Sequence, residues 1–262
     1  MTKAARADAA DPLSFRDWVA NKQKNAGARR KGERTRDRIR LCTAELLNEV
    51  GYRELKLTDI CKRAKISPPV LYLYFESKEA LVNEILKEFL QEFMNRATST
   101  SARSPFQAMY DANLQWIKSA RANAGLMRCL LQFSEEQREF AHLFASESNL
   151  WHRRIAQSVL HRFPAAAPEE HTIHFIVHAL GGMMDEITRR LFAEKEPTLA
   201  ALSARVASTD EELSALLTTV WHRALYACDP PTSEARAVTP LLVKASRKAD
   251  GAKPQPRRKP AS

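Results

Sequence analysis

Glycine is scarce: 7 in 262 residues, well under the roughly 7% of an average chain. That scarcity argues against a β-rich or loop-rich fold. It also leaves no glycine-rich loop to cradle phosphates, so P-loop and dinucleotide-binding readings lose support. Period-2 alternation and internal repeats are absent. No run of about 18 uninterrupted apolar residues could span a membrane, and the first 40 residues hold no apolar core of a signal peptide. The four cysteines, Cys42, Cys61, Cys129 and Cys228, are scattered with no CxxC spacing. Their positions in helical stretches suggest buried, reduced thiols of a cytoplasmic protein. No Ser–His–Asp or Cys–His constellation can be argued, so the chain is not read as an enzyme and needs no cofactor.

What is present is charge at the ends and helical rhythm between them. The chain is 44% hydrophobic and carries a net charge of +10. Residues 1–40 hold 12 Lys/Arg against 5 Asp/Glu, and residues 230–262 hold 8 against 2. Basic ends on a near-neutral body suggest arms that lie on a polyanion. Residues 1–32 read as a flexible basic arm, apart from a helical turn or two in "PLSFRDWVA". The Pro-, Lys- and Ala-rich tail, 231–262, reads as disordered.

From Glu33, apolar residues recur at helical steps through Ile39, Cys42, Leu46, Leu47 and Val50, and Gly51 stops that helix. A second helix opens at Thr58, whose hydroxyl is expected to cap it, and ends near Ala64. Ser77 is expected to cap a longer helix with a continuous stripe from Leu81 to Phe93. Beyond "TSTSARSP", helical segments follow over 106–120, 125–145 (with room for a break), 150–163, 169–194 and 210–228. The fold class is all-α: a compact head of short helices, 33–80, and a larger helical body, 81–230.

Between the second and third elements stands "KISPPVLYLYFESKEAL". Proline lacks an amide hydrogen and presets φ, so it is tolerated in a helix's first turn. Ser67 is placed to cap this short helix, with its hydroxyl reaching Val70 because Pro69 has no N–H to offer. A helix of two turns is not stable alone and must be held by its neighbours. Helix, tight turn, short helix against a supporting helix is a helix-turn-helix, whose second helix enters a DNA major groove. The stretch from Arg34 to about Leu86, with "NEVGY", "LTDICKRAKIS" and "VLYLYFESKEALVNEIL", resembles the TetR family of bacterial transcriptional regulators. The closing "DEELSALLTTVWHRAL" is similar too, though far less diagnostic.

The resemblance implies that Thr58, Tyr72 and Lys78 contact the DNA backbone, with Lys78 at the positive end of its helix. Ser67, Pro68, Pro69, Val70 and Leu73 would face the bases. Here the sequence departs from the family, which often has small, polar or hydrogen-bonding residues at these places. Apolar side chains can meet a thymine methyl but cannot hydrogen-bond base edges. Readout therefore shifts toward methyl contacts, DNA shape and the arm, where Arg29, Arg30 and Lys31 would reach phosphates or a minor groove. Lys65 replaces a common glycine in the turn, where a left-handed φ would cost it more.

Helix-turn-helix heads usually work as pairs, and the resemblance implies a cavity in the body that binds a small effector. Phe175, Ile176, Leu180, Met183, Met184 and Ile187, with Gly181 and Gly182 for close approach, face one way on the long helix. Leu213, Leu216, Leu217, Val220, Trp221 and Ala224 do so on the last. Two such helices per chain would build a four-helix dimer interface. Trp116, Phe133, Phe144, Trp151 and Phe175 are the candidate lining of an apolar effector pocket. Few charges flank them, so the expected effector is apolar or aromatic. His171, His174 and His178 share a helix face, but a metal is not the preferred reading. The whole reads as a cytoplasmic, homodimeric repressor of a palindromic double-stranded DNA operator, released by a small molecule. A regulator without an effector, and a low-specificity DNA-packing protein, remain as alternatives.

Overall fold

A computed structural model describes residues 14–25, 27, 30–96, 104–162 and 169–226. Arg29, Cys228 and the tail 231–262 lie outside the described residues. Among the described residues the fold is all-α, with no strand.

The helices are α1 (Phe15–Asn25), α2 (Lys31–Val50), α3 (Leu57–Ala64), α4 (Pro68–Tyr72), α5 (Lys78–Arg96) and α6 (Pro105–Ala122). They continue with α7 (Ala124–Glu136), α8 (Arg138–Arg162), α9 (Glu170–Thr188), a π turn (Arg189–Ala193), α10 (Pro197–Val206) and α11 (Asp210–Tyr226). Their ends follow from local chemistry. Ser77 Oγ accepts from Ala80 N–H (3.0 Å), capping α5 as expected. Ser104 does the same for α6, followed by Pro105 in its first turn. Thr209 and Glu212 close a reciprocal box at the start of α11.

Helix α5 is the spine. Leu81, Val82, Ile85, Leu86, Phe89, Leu90 and Phe93 are all buried. Its first turns pack with α2 in the head and its later turns against α6, α7 and α8 in the body. The expected boundary between residues 80 and 81 therefore falls inside one continuous helix. Glu84 and Glu88 of α5 hold Arg36 and Arg40 of α2, and Glu88 also takes Lys22 of α1.

The flexible arm expected over residues 1–32 contains an ordered helix. Residues 15–25 are helical and part of the core. Phe15 and Val19 are buried, and the Phe15 ring meets Phe89 of α5 edge-on at 5.3 Å. Asn123 Oδ1 accepts the Phe15 N–H at 2.8 Å. Helix α1 is thus a strap lying on the head and reaching the α6–α7 corner. The segment expected over 125–145 breaks at Gln137, and the following helix runs unbroken to Arg162. Helix α10 is an element that the hydrophobic pattern did not announce.

Candidate functional site

The head builds its outer edge from α3, the turn and α4. Helix α3 buries Ile60, Cys61 and Ala64. Lys65 ends it with φ 53° and ψ 51°, so the lysine takes the left-handed conformation despite its cost. Ile66 N–H then donates to the Cys61 carbonyl at 3.0 Å, and the chain turns into α4.

Helix α4 is anchored by buried Leu71, followed by buried Phe75. Its other residues face outward: Pro68 and Pro69 are exposed, Tyr72 is 53% exposed and Leu73 80%. Val70 is half-buried. Leu73, Tyr72 and the two prolines thus form an open face on a helix held from behind.

Two expected caps are corrected. The Ser67 hydroxyl makes no cap bond. Pro68 and Pro69 offer no N–H, and the Val70 and Leu71 N–H groups go to the Ser67 carbonyl at 3.0 and 3.2 Å. Helix α3 begins one residue earlier than expected, with extended Lys56 at its cap, so Thr58 lies exposed inside the first turn and caps nothing. Its hydroxyl is open to an outside ligand.

Lys78 is the first residue of α5 and half-buried, with Nζ 4.7 Å from the Tyr52 ring centroid. Arg30 and Lys31 are exposed at the start of α2. A Cβ placed on Gly32 would lie 3.7 Å from the Tyr74 hydroxyl, so this end of α2 borders the α4–α5 turn. Sequence reasoning did not name Lys56, Lys62 or Lys65 among the DNA contacts. All three are exposed and form no ion pair with another described residue. Their signal was the lysine at each end of "KLTDICKRAK", set between residues that build the turn.

Head and body meet at α2 and α7. Asn48 Oδ1 accepts from Gly125 and Leu126, Tyr52 N–H donates to Gln132 Oε1 at 3.3 Å, and the Tyr52 ring packs edge-on against Phe133. Cys129 Sγ donates to the Leu47 carbonyl, and burial pushes its thiol up to about 12.

The expected pocket residues do not form one lining. Trp116 and Phe144 line a cavity of about 220 Å3 enclosed by α5, α6, α7, α8, α9 and the π turn. Trp151 belongs to a different cavity of about 180 Å3, between α6, α8 and α11. Phe133 is core, packed on Tyr52 and Phe140. Phe175 is 76% exposed and lines neither, because its place on α9 points away from the bundle. The sequence also missed Asp185, which lines the larger cavity; burial pushes its carboxyl up to about 7.

His174 and His178 lie with rings 5.4 Å apart, and His152 of α8 meets His178 at 4.2 Å. His171 stands apart, exposed beside Glu169. No group of three or more His, Cys, Asp or Glu among the described residues is placed to hold a metal ion. Gly181 lets α8 approach: a Cβ there would lie 2.1 Å from His152 Nε2. Burial, with His178 and His174 nearby, pulls the His152 ring down to about 4. No described helix is long and apolar enough to cross a membrane.

Residues 42–85 match a family model described as bacterial regulatory proteins, tetR family. The HTH-type transcriptional regulator EthR of Mycolicibacterium smegmatis is 25% identical over 196 residues, covering 72% of this chain and 86% of that protein. The HTH-type transcriptional repressor KstR2 of Rhodococcus jostii is 27% identical over 122 residues, 45% of this chain and 59% of that one. The match to an uncharacterized HTH-type regulator of Bacillus subtilis, YdgC, is 36% identical but spans 22% of this chain and 30% of the relative. In three dimensions, a tetR-family transcriptional regulator from Streptomyces coelicolor superposes with a TM-score of 0.58 at 14% identity, covering 80% of this chain and 99% of that one. At that identity the likeness establishes the fold.

Proposed function

Because the chain belongs to the TetR family of bacterial regulatory proteins, we propose that it is a homodimeric repressor whose head leaves its operator when a small ligand fills the body. The observation that carries this reading is the outward face of α4, with Pro68, Pro69, Tyr72 and Leu73 open to solvent and Leu71 locked beneath them. In the head, residues 33–80, α4 enters the major groove. Thr58, Tyr72 and Lys78 hold phosphates, as do Arg30 and Lys31 beside them. Ser67, Pro68, Pro69, Val70 and Leu73 face the bases. Such contacts fix the register, and apolar side chains there favour thymine methyls.

One head of this size offers too little surface for a specific site, so two are needed. The body, residues 81–230, supplies the pairing through α9 and α11, where Phe175 is bare and Met183, Leu216 and Val220 are half-buried. The effector occupies the cavity that holds Trp116 and Phe144. Its occupation shifts the population toward a body whose heads no longer match successive major grooves. The protein works in the cytoplasm, beside its DNA.

Selection of bound sequences from a random duplex pool tests the reading. The expected product is a palindrome with half-sites about 34 Å apart, or a multiple of it. Recovery of no consensus, with specific and bulk DNA competing equally, would replace a repressor with a low-specificity packing protein.

A further inference from the structure

The cavity bounded by α5 to α9 and the π turn is walled by aromatic rings, yet holds one carboxyl without a partner. Phe93, Trp116, Phe144 and Phe192 supply the rings. Asp185 lines the same space and is half-buried, and its carboxyl has no hydrogen-bond or ion-pair partner among the described residues. The other charged groups in the lining neutralise each other. Glu186 binds Arg189 at 2.7 Å, and Arg189 also holds Glu194. The lining thus keeps one uncompensated acid.

Leaving a carboxyl in such a place is costly, because a buried acid without a partner must either hold its proton or lose its hydration. An apolar ligand would gain nothing from it. A cation would gain twice: from the carboxylate directly, and from ring faces that attract positive charge. The volume fits a modest molecule. A cavity of about 150 Å3 takes a benzene ring, so about 220 Å3 suits a ring with a short chain.

We propose that this cavity binds a lipophilic ammonium ion, with the charged nitrogen on Asp185 and the apolar body among Phe93, Trp116 and Phe144. The proposal rests on the effector cavity proposed above and names the class of its ligand, adding a positive charge to the apolar or aromatic effector that the sequence favours. The acid must be ionised to hold the cation, and burial raises its pKa to about 7. Binding should therefore tighten as pH rises from about 6 to about 8, while an amine of ordinary basicity stays protonated.

Titration calorimetry on the full chain with three probes of one shape tests this: 2-phenylethylammonium, 2-phenylethanol and phenylacetate. The expected order puts the ammonium about tenfold or more ahead of the alcohol, with phenylacetate weakest. Asp185→Asn should weaken the ammonium until it lies within about twofold of the alcohol. Equal binding of ammonium and alcohol by the unaltered chain, or a preference that survives Asp185→Asn, overturns the proposal and leaves the effector cavity standing. Binding of none of the three overturns both. Release of operator DNA by the bound ammonium, read separately, tests the repressor reading alone.

Discussion

Asn48 Oδ1 accepts hydrogen bonds from the backbone N–H groups of Gly125 (3.1 Å) and Leu126 (3.3 Å). The last turn of α2 therefore caps the first turn of α7, and a side chain of the head finishes a helix of the body. The contact is as close as backbones come. A Cβ on Gly125 would lie 1.9 Å from the Asn48 carbonyl oxygen.

That closeness makes Gly125 a wedge point. Gly125→Ala must drive α2 and α7 apart, because backbone cannot yield as a side-chain tip can. The expected loss is about 1–3 kcal/mol in urea unfolding. Asn48→Ala removes only the cap and should cost about 0.5–2 kcal/mol. Both variants should also change how strongly ligand lowers DNA affinity, measured as the ratio of operator Kd with and without it.

At the α8–α9 crossing the neighbour is a ring. Gly181→Ala collides with the buried His152 imidazole and should destabilise by about 1–3 kcal/mol. In a His152→Ala background the obstacle is gone, and the same glycine change should cost little. A double-mutant cycle should return a coupling energy of about 1 kcal/mol or more. Additive effects would mean that the two helices relax apart freely.

For the head, Lys78→Ala should weaken binding to every duplex alike and lower the slope of log affinity against log salt by about one per head. Leu73→Ala should leave that slope alone and alter preference at a single base pair, by about 1 kcal/mol. Electrophoretic or anisotropy titrations at several salt concentrations separate the two. The Arg30→Ala/Lys31→Ala pair is the proper test of the basic segment, since deleting residues 1–32 would also remove α1 and its buried Phe15.

Asp185 also leaves a mark on stability. Its folded pKa of about 7 exceeds the ordinary 3.8, so between those values the folded chain keeps a proton that the unfolded chain has lost. Stability therefore falls as pH rises through that window. His152, held at about 4 against 6.5, works the other way: its stability is present above 6.5 and is lost as pH drops toward 4. The two tendencies oppose each other, so the variant must be compared with the unaltered chain. Asp185→Asn should gain on the order of 1–3 kcal/mol more at about pH 8 than at about pH 4.5.

The elements most legible in the sequence were those whose signals are local. The stripe of α5, the Ser77 cap, the proline-opened α4 and the strained lysine of the turn each follow from a few adjacent residues. Helix α1 was not legible, because it carries only two buried residues, Phe15 and Val19. Its hold depends on Phe89 and Asn123, far along the chain. Helix α10 buries nothing, so periodicity had no face to report. In the body, aromatic content pointed to a pocket but not to which rings share it. Trp116 and Trp151 meet at 5.5 Å with tilted rings and still open into different cavities. Asp185 looked like one more acid flanking an apolar run, since its burial comes from helices that sequence alone does not bring together.

Helix α5 contains neither glycine nor proline, so it has no built-in place to bend. Its 19 residues make a pole about 28 Å long. Leu81 and Val82 sit in the head at one end, and Phe93 and Met94 border the cavity at the other. A pivot of about 5° at the cavity end would swing the head end by about 2.5 Å, close to the length of a hydrogen bond. Leverage of this kind needs no melting and no refolded segment: under the proposed function, a small push at the wall would arrive at the DNA as a misalignment of the whole head.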